Sequence, residues 1–234
     1  MRSVGPSDVV AAIDCGTNAI RLLVAHCDDG RLVEHVRLMR IVRLGEGVDR
    51  TGAFSPDALE RTFAALDEYA GVIADAGVSS VRFVATSASR DVSNRGDFVA
   101  GVRARIGVDP EVISGDEEAA LSFVGATRGL PSGLVRSPAL VVDIGGGSTE
   151  FVLGTAVPES SRSVDVGCVR MTERHLHSDP PTADEISRTR ADIEAAVALA
   201  AETVPLREAA SFVGLAGTVT TVAAMALDLP AYDE

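Results

Sequence analysis

Two stretches of the chain combine an aspartate, glycine and small polar residues in a pattern that suits a phosphate. The first is Asp14-Cys15-Gly16-Thr17-Asn18, and the second is Asp143-Ile144-Gly145-Gly146-Gly147-Ser148-Thr149-Glu150. Small residues let backbone N–H groups come close to phosphate oxygens, while an aspartate at the end of the preceding strand can hold a divalent cation, directly or through water. Taken singly, D-x-G-x-N is a common tight turn. Three successive glycines between two strands are more telling, because they weaken a sheet unless something must approach closely. Facing a common cleft, the two turns would clamp a phosphate chain from both sides.

Any such chemistry proceeds without lysine. All 21 basic residues are arginine, against 34 acidic ones, for a net charge of −13. That excludes a P-loop lysine, a Schiff base and the ion-paired lysine of a protein kinase. Glutamine and tryptophan are missing too, so biased coding explains the absence. The net charge disfavours nucleic acid and anionic membranes, and a polyanionic ligand would need a local cationic or metal-filled cleft. The three cysteines form no C-x-x-C, which fits reduced thiols rather than a disulfide framework. No apolar run of about 18 residues and no leader-like start is found, so the expectation is a soluble cytoplasmic protein.

The elements that position the turns follow from patterning. Residues 9–13 and 20–24 read as a hairpin around the first turn, with further strands at 33–39 and 41–44. Ser55 as N-cap, Pro56 after it and an apolar stripe from Leu59 to Ile73 predict a helix that Gly77 closes. A strand at 81–85, a helix near 97–106, a short strand at 111–113 and a helix over 116–124 follow. Residues 127–138 shift to Gly, Pro, Ser and Arg and read as a connection, giving domains at 1–126 and 127–234. The plan then restarts, with strands at 139–142 and 151–153 around the second turn. Thr182 with Glu185 forms a capping box opening a helix to about 204. A strand at 212–215 leads through Gly217 and Thr218 into a last helix. The two turns recur some 129 positions apart, which suggests duplicated domains.

Several longer motifs add to the turns: Ala12 to Arg21, Thr86-Ser87-Ala88-Ser89-Arg90-Asp91, Ser114-Gly115-Asp116-Glu117-Glu118-Ala119, Gly167-Cys168-Val169-Arg170-Met171-Thr172-Glu173 and Ala216-Gly217-Thr218-Val219-Thr220. Together, in this order, they resemble the exopolyphosphatase and guanosine pentaphosphate phosphatase (Ppx/GppA) family, in its short actinobacterial form. The resemblance implies an α/β fold of two ribonuclease H-like domains, as in the actin-like ATPase and sugar kinase superfamily. It also implies Mg²⁺- or Mn²⁺-dependent release of the terminal phosphate from inorganic polyphosphate or from pppGpp, a nucleotide of the stringent response, and a homodimer.

Residue by residue, the resemblance makes Glu118 the base that activates the attacking water, where by itself a carboxylate at a helix start is simply favoured by the helix dipole. Asp14, Asp143 and Glu150 match metal positions. Three carboxylates around a phosphate would repel it, which is a physical reason to expect a divalent ion. Arg21 and Arg90 match phosphate positions, with Arg95 and Arg170 as weaker candidates; planar guanidinium groups suit bidentate phosphate contact. Thr17, Asn18, Gly145, Gly146, Gly147 and Ser148 would add amide and hydroxyl donors. Cys15 is expected to pack, and His26, His35, His175 and His177 to lie at the surface.

Two positions depart from the family pattern. Ala19 stands where serine is usual and Ala120 where many relatives carry arginine, each removing a polar group near the site. The chain also stops at Glu234, where the resemblance leads one to expect further residues completing the second domain. Their absence would leave a sheet edge or an apolar helix face uncovered. The leading reading is therefore an exopolyphosphatase. The others are a pppGpp 5′-phosphatase, a catalytically weak module binding polyphosphate or guanosine tetraphosphate, and a superfamily kinase or ATPase, which the S-G-x-E-E-A helix disfavours.

Overall fold

The structure is a computed structural model that describes residues 8–90, 92–131 and 133–231. Asp91, the last residue of the motif that begins at Thr86, lies outside the described residues. The chain divides into two compact units, one up to Ile113 and one from Ser114.

The first unit is built on a five-stranded sheet of order β3-β2-β1-β4-β5. Its strands are β1 (Val10–Cys15), β2 (Ala19–Asp28), β3 (Arg31–Ile41), β4 (Ser80–Ala85) and β5 (Glu111–Val112). β1, β2 and β3 form an antiparallel meander, and β4 lies parallel to β1 on its other side. The strand expected at 41–44 is instead a turn segment, because Val42 and Arg43 direct their N–H groups to the first turn and not to a neighbouring strand. After a short helix α1 (Val48–Thr51), helix α2 (Pro56–Asp75) begins as expected, with Ser55 Oγ accepting from Ala58 N. Its Tyr69 hydroxyl donates to Ile20 O, tying the helix to β2. Helix α3 (Arg95–Ile106) supplies Phe98, which packs tilted against Phe54 and edge-on against Phe83 in one continuous core.

The second unit starts with helix α4 (Gly115–Gly129), whose N-cap Ser114 accepts from Glu117 N. Its sheet has the order β8-β7-β6-β9, made of β6 (Ala139–Ile144), β7 (Thr149–Gly154), β8 (Pro158–Val164) and β9 (Ser211–Leu215). Helices α5 (Cys168–His175), α6 (Ala183–Ala201) and α7 (Ala216–Ala226) complete it. One face of the sheet packs Val141 and Val152 against Ala119 and Phe123 of α4. The other buries Leu140, Val142, Phe151 and Leu153 with Met171 of α5 and Ala200 of α6. The strand alternation thus feeds two cores, which explains why β6 and β7 read as uninterrupted apolar runs.

This packing corrects the expected boundary after residue 126. Helix α4 belongs to the second unit because Ala119 and Phe123 have their apolar partners on β6 and β7, and the composition shift at 127–138 only marks the end of that helix. The glutamate-bearing helix is therefore not part of the first domain, where the sequence reading put it. Three further elements, α1, β8 and α5, have no counterpart in the sequence pattern.

The two sheets share one plan, a three-stranded meander with a fourth strand parallel to its first. In the second sheet β9 is an edge, with Phe212 66% exposed, and α7 leaves Val222 and Met225 in solvent. Among the described residues no helix is long and apolar enough to cross a membrane.

Candidate active site

Each phosphate-type turn joins the first two strands of its sheet, and the two have the same internal wiring. In the first, Gly16 N donates to Ala19 O; in the second, Gly145 N donates to Ser148 O. In both, a later segment takes up the turn's carbonyls. Asn18 O accepts from Val42 N and Arg43 N, and Thr17 O from Gly45 N. Likewise Gly145 O accepts from Cys168 N, Gly146 O from Val169 N and Arg170 N, and Gly147 O from the Arg170 Nε. With their carbonyls engaged, Gly146, Gly147 and Ser148 have no acceptor for their N–H groups among the described residues, although Gly147 and Ser148 are buried. Buried backbone donors are normally paired. A row of them in a tight turn is the arrangement that holds an anion.

Glycine is needed here for close approach. A β-carbon on Gly167 would sit 2.5 Å from Gly146 C and O and 2.6 Å from Gly147 N, so the start of α5 can reach the turn's carbonyls only without a side chain at 167.

The charges beside the turns differ. In the first hairpin Asp14 is directly opposite Arg21, and Arg21 Nη1 donates to Asp14 Oδ2 at 3.3 Å. In the second hairpin the equivalent pair is Asp143 and Glu150, two carboxylates face to face. Ser122 Oγ of α4 donates to Asp143 Oδ2 at 2.7 Å, and Ser163 Oγ of β8 donates to Glu150 Oε1 at 2.7 Å. Glu150 is only 1% exposed. Like charges across a ladder repel, and a buried anion needs a compensating partner.

Glu118 is half-buried on α4. It stands four residues before Ser122, so both occupy one stripe of the helix, and Ser122 places that stripe at Asp143. The Glu118 helix thus reaches Asp143 through Ser122, and Asp143 pairs with Glu150 beside the glycine turn, all within the second unit. Ser122 and Ser163 were missed in the sequence; the i+4 spacing of Ser122 from Glu118 was the available signal.

Asp14, Thr17, Asn18, Arg21 and Arg90 belong to the first unit. Thr17 shares a 2.8 Å hydrogen bond between hydroxyls with Ser87, and Thr86 N donates to Cys15 O, so the first turn and the 86–90 segment are neighbours. Arg90 Nε donates to Ile113 O, a bond that holds the end of β5. Cys15 is buried, and burial, helped by the adjacent Asp14 carboxylate, pushes its thiol well up, which suits packing and not a nucleophile. His26 and His35 contact one another on the surface, and His175 hydrogen-bonds Asp192, whose carboxyl this contact and Arg174 hold down. Among the described residues no three His, Cys, Asp or Glu side chains form a ready metal cluster. A concavity of ≈ 660 Å³ between α2 and α3 is lined by residues such as Phe54, Phe63 and Asp67 and includes no turn residue.

Two sheets of one strand order, each with an anion-type turn between its first two strands, make this an α/β protein of two units built on one plan. Residues 23–231 match the model of the Ppx/GppA phosphatase family, and the chain belongs to that family of phosphohydrolases. It is 51% identical to exopolyphosphatase 2 of Mycobacterium tuberculosis over 233 residues, which is 96% of this chain and 72% of that relative. A solved exopolyphosphatase-like protein superposes with a TM-score of 0.93 at 46% identity, covering 96% of this chain and 71% of that one. A guanosine-5′-triphosphate,3′-diphosphate pyrophosphatase of Vibrio cholerae is 37% identical over 178 residues, 76% of this chain and 35% of that enzyme.

Proposed function

We propose that the protein is an exopolyphosphatase that hydrolyses the terminal phosphoanhydride bond of inorganic polyphosphate. The observation that carries this is the row of N–H groups at Gly146, Gly147 and Ser148 without acceptors, set beside Asp143, Glu150 and the Glu118 helix. The similarity to an exopolyphosphatase over nearly the whole chain supports it.

In this reading the terminal phosphate rests on the amides of the glycine turn. Glu118 accepts a proton from a water molecule as that water attacks phosphorus in line with the bridging oxygen. The bond to the bridging oxygen breaks, giving orthophosphate and a chain shorter by one phosphate. Asp143 and Glu150 fit a hard divalent cation, since Mg²⁺ is commonly held by one or two carboxylates together with substrate phosphates. Such an ion, Mg²⁺ or Mn²⁺, would neutralise charge on the phosphate and on both carboxylates. In the first unit, Asp14 is a candidate metal ligand, and Arg21, Arg90, Thr17 and Asn18 are candidate phosphate contacts. A second reading, a pppGpp 5′-phosphatase, is favoured by the Vibrio cholerae relative; the turns serve either substrate.

The test incubates the full chain with long-chain polyphosphate and with pppGpp, with Mg²⁺ or with chelator, beside Glu118→Gln. The expected result is phosphate release from polyphosphate only with metal, and a loss of about 10²- to 10⁴-fold in Glu118→Gln with phosphate binding retained. Release from pppGpp alone favours the second reading, and no release from either ends both.

A further inference from the structure

We propose that Arg43 is a phosphate-binding residue of the first turn, held ready for substrate in a backbone conformation that the fold maintains at a cost in stability. The proposal rests on the reading of that turn as a phosphate site.

Arg43 has φ 51, in the left-handed region. Residues with a β-carbon avoid it, Gly and Asn occupy it most easily, and a long unbranched cation gains nothing from it. The surroundings leave no freedom to relax. Val42 N and Arg43 N both donate to Asn18 O, at 3.0 and 2.9 Å, Gly45 N donates to Thr17 O, and Glu46 N donates back to Arg43 O. From α2, Arg61 donates through Nε to Val42 O and through Nη2 to Glu46 Oε2. Val42 and Leu44 on either side are buried at 1% and 0% exposure. A strained residue fixed this firmly is the kind of outlier that marks a functional position.

The side chain is what the strain preserves. Arg43 is exposed, and its guanidinium has no hydrogen bond or ion pair among the described residues. Most arginines of the same unit are matched to carboxylates, among them Arg40 with Glu68, Arg82 with Glu111 and Arg103 with Asp109. Arg21 is matched to Asp14. The contrast with the second turn is direct. There Arg170 occupies the corresponding stitching segment, and its Nε is committed to Gly147 O, whereas Arg43 anchors to its turn through the backbone alone. Its fork therefore stays available, within side-chain reach of a phosphate on the first turn, where bidentate contact is strongest.

The test compares wild type, Arg43→Gly and Arg43→Lys as full chains, by equilibrium titration with tripolyphosphate in Mg²⁺ and by thermal melting. Glycine removes the backbone strain and the cation together. Arg43→Gly is expected to melt higher than wild type yet bind tripolyphosphate about tenfold or more weakly, with a shallower salt dependence and KM raised more than kcat is lowered. Arg43→Lys should recover part of the affinity without the gain in melting temperature. Wild-type affinity in Arg43→Gly overturns the assignment, as does a lower melting temperature, which would make the side chain a structural support. A wild type that binds tripolyphosphate but hydrolyses no substrate sinks the enzymatic reading and leaves this one standing on the titration. A wild type that fails to bind tripolyphosphate overturns both.

Discussion

Asp143 and Glu150 face each other across the β6–β7 ladder, at the position where the first hairpin pairs Asp14 with Arg21. The first hairpin sets a guanidinium against its carboxylate, and the second sets two carboxylates against each other. Each carboxylate of the second pair accepts a serine hydroxyl, Ser122 on Asp143 and Ser163 on Glu150, and neither bond cancels a negative charge. A cation seated between phosphate and carboxylates would.

Replacing Glu150 by Gln should therefore separate folding from function. The amide oxygen can still accept from Ser163, while the repulsion across the ladder disappears. Without metal the variant is expected to melt at or above the wild-type temperature, to show none of the Mg²⁺ stabilisation expected of wild type, and to turn over about a hundredfold or more slowly. Equal Mg²⁺ stabilisation in both proteins would remove Glu150 from the metal site.

Arg21→Ala tests the first hairpin. Its ion pair with Asp14 is 42% and 44% exposed, so its loss should change stability by no more than about 1 kcal/mol. Substrate affinity should fall much more, about tenfold or more, since the phosphate loses a guanidinium contact. A KM unchanged in Arg21→Ala argues that the pair is only a surface bridge.

Gly167→Ala should damage the second turn from outside it. The new methyl group meets the backbone of Gly146 and Gly147, which cannot yield as a flexible side chain would. The expected cost is about 1–3 kcal/mol in folding, with a fall in turnover beyond what the unfolded fraction explains. Turnover per folded molecule at the wild-type level would show that the turn adjusts freely.

Glu185 predicts an acid limb of stability. The N–H groups of Thr182 and His177 bond its carboxylate and hold its pKa down to about 2. The folded value lies below the unfolded one, so the contribution is full above the ordinary glutamate value of about 4.3. It is lost as pH falls from there through about 2. Melting temperature followed from pH 6 to about pH 2 should drop less steeply in Glu185→Gln over that interval, from a lower plateau. Parallel curves would refute the assignment.

The legible parts of this protein were those governed by neighbours in sequence. The Thr182–Glu185 capping box forms as its spacing predicts, Ser55 and Ser114 cap their helices, and the two turns sit between strands. Strand β8, Pro-Glu-Ser-Ser-Arg-Ser-Val, was illegible because it is largely polar and becomes a strand by pairing with β7. Helix α5 begins by donating to the carbonyls of the glycine turn, a partner more than twenty positions away. The placement of Glu118 depended on where Ala119 and Phe123 found apolar neighbours, and a helix pattern states only that a face is apolar.

The sequence by itself determined the residues with chemical capability, the turns that hold them and the family, because small residues, caps and motif order act over a few bonds. Tertiary structure decided which of those groups meet. It moved the Glu118 helix to the second sheet, set Asp143 against Glu150 but Asp14 against Arg21, and locked Arg43 against the first turn. Strand register and helix docking are fixed by burial summed over distant residues, and that sum is not written in any one segment.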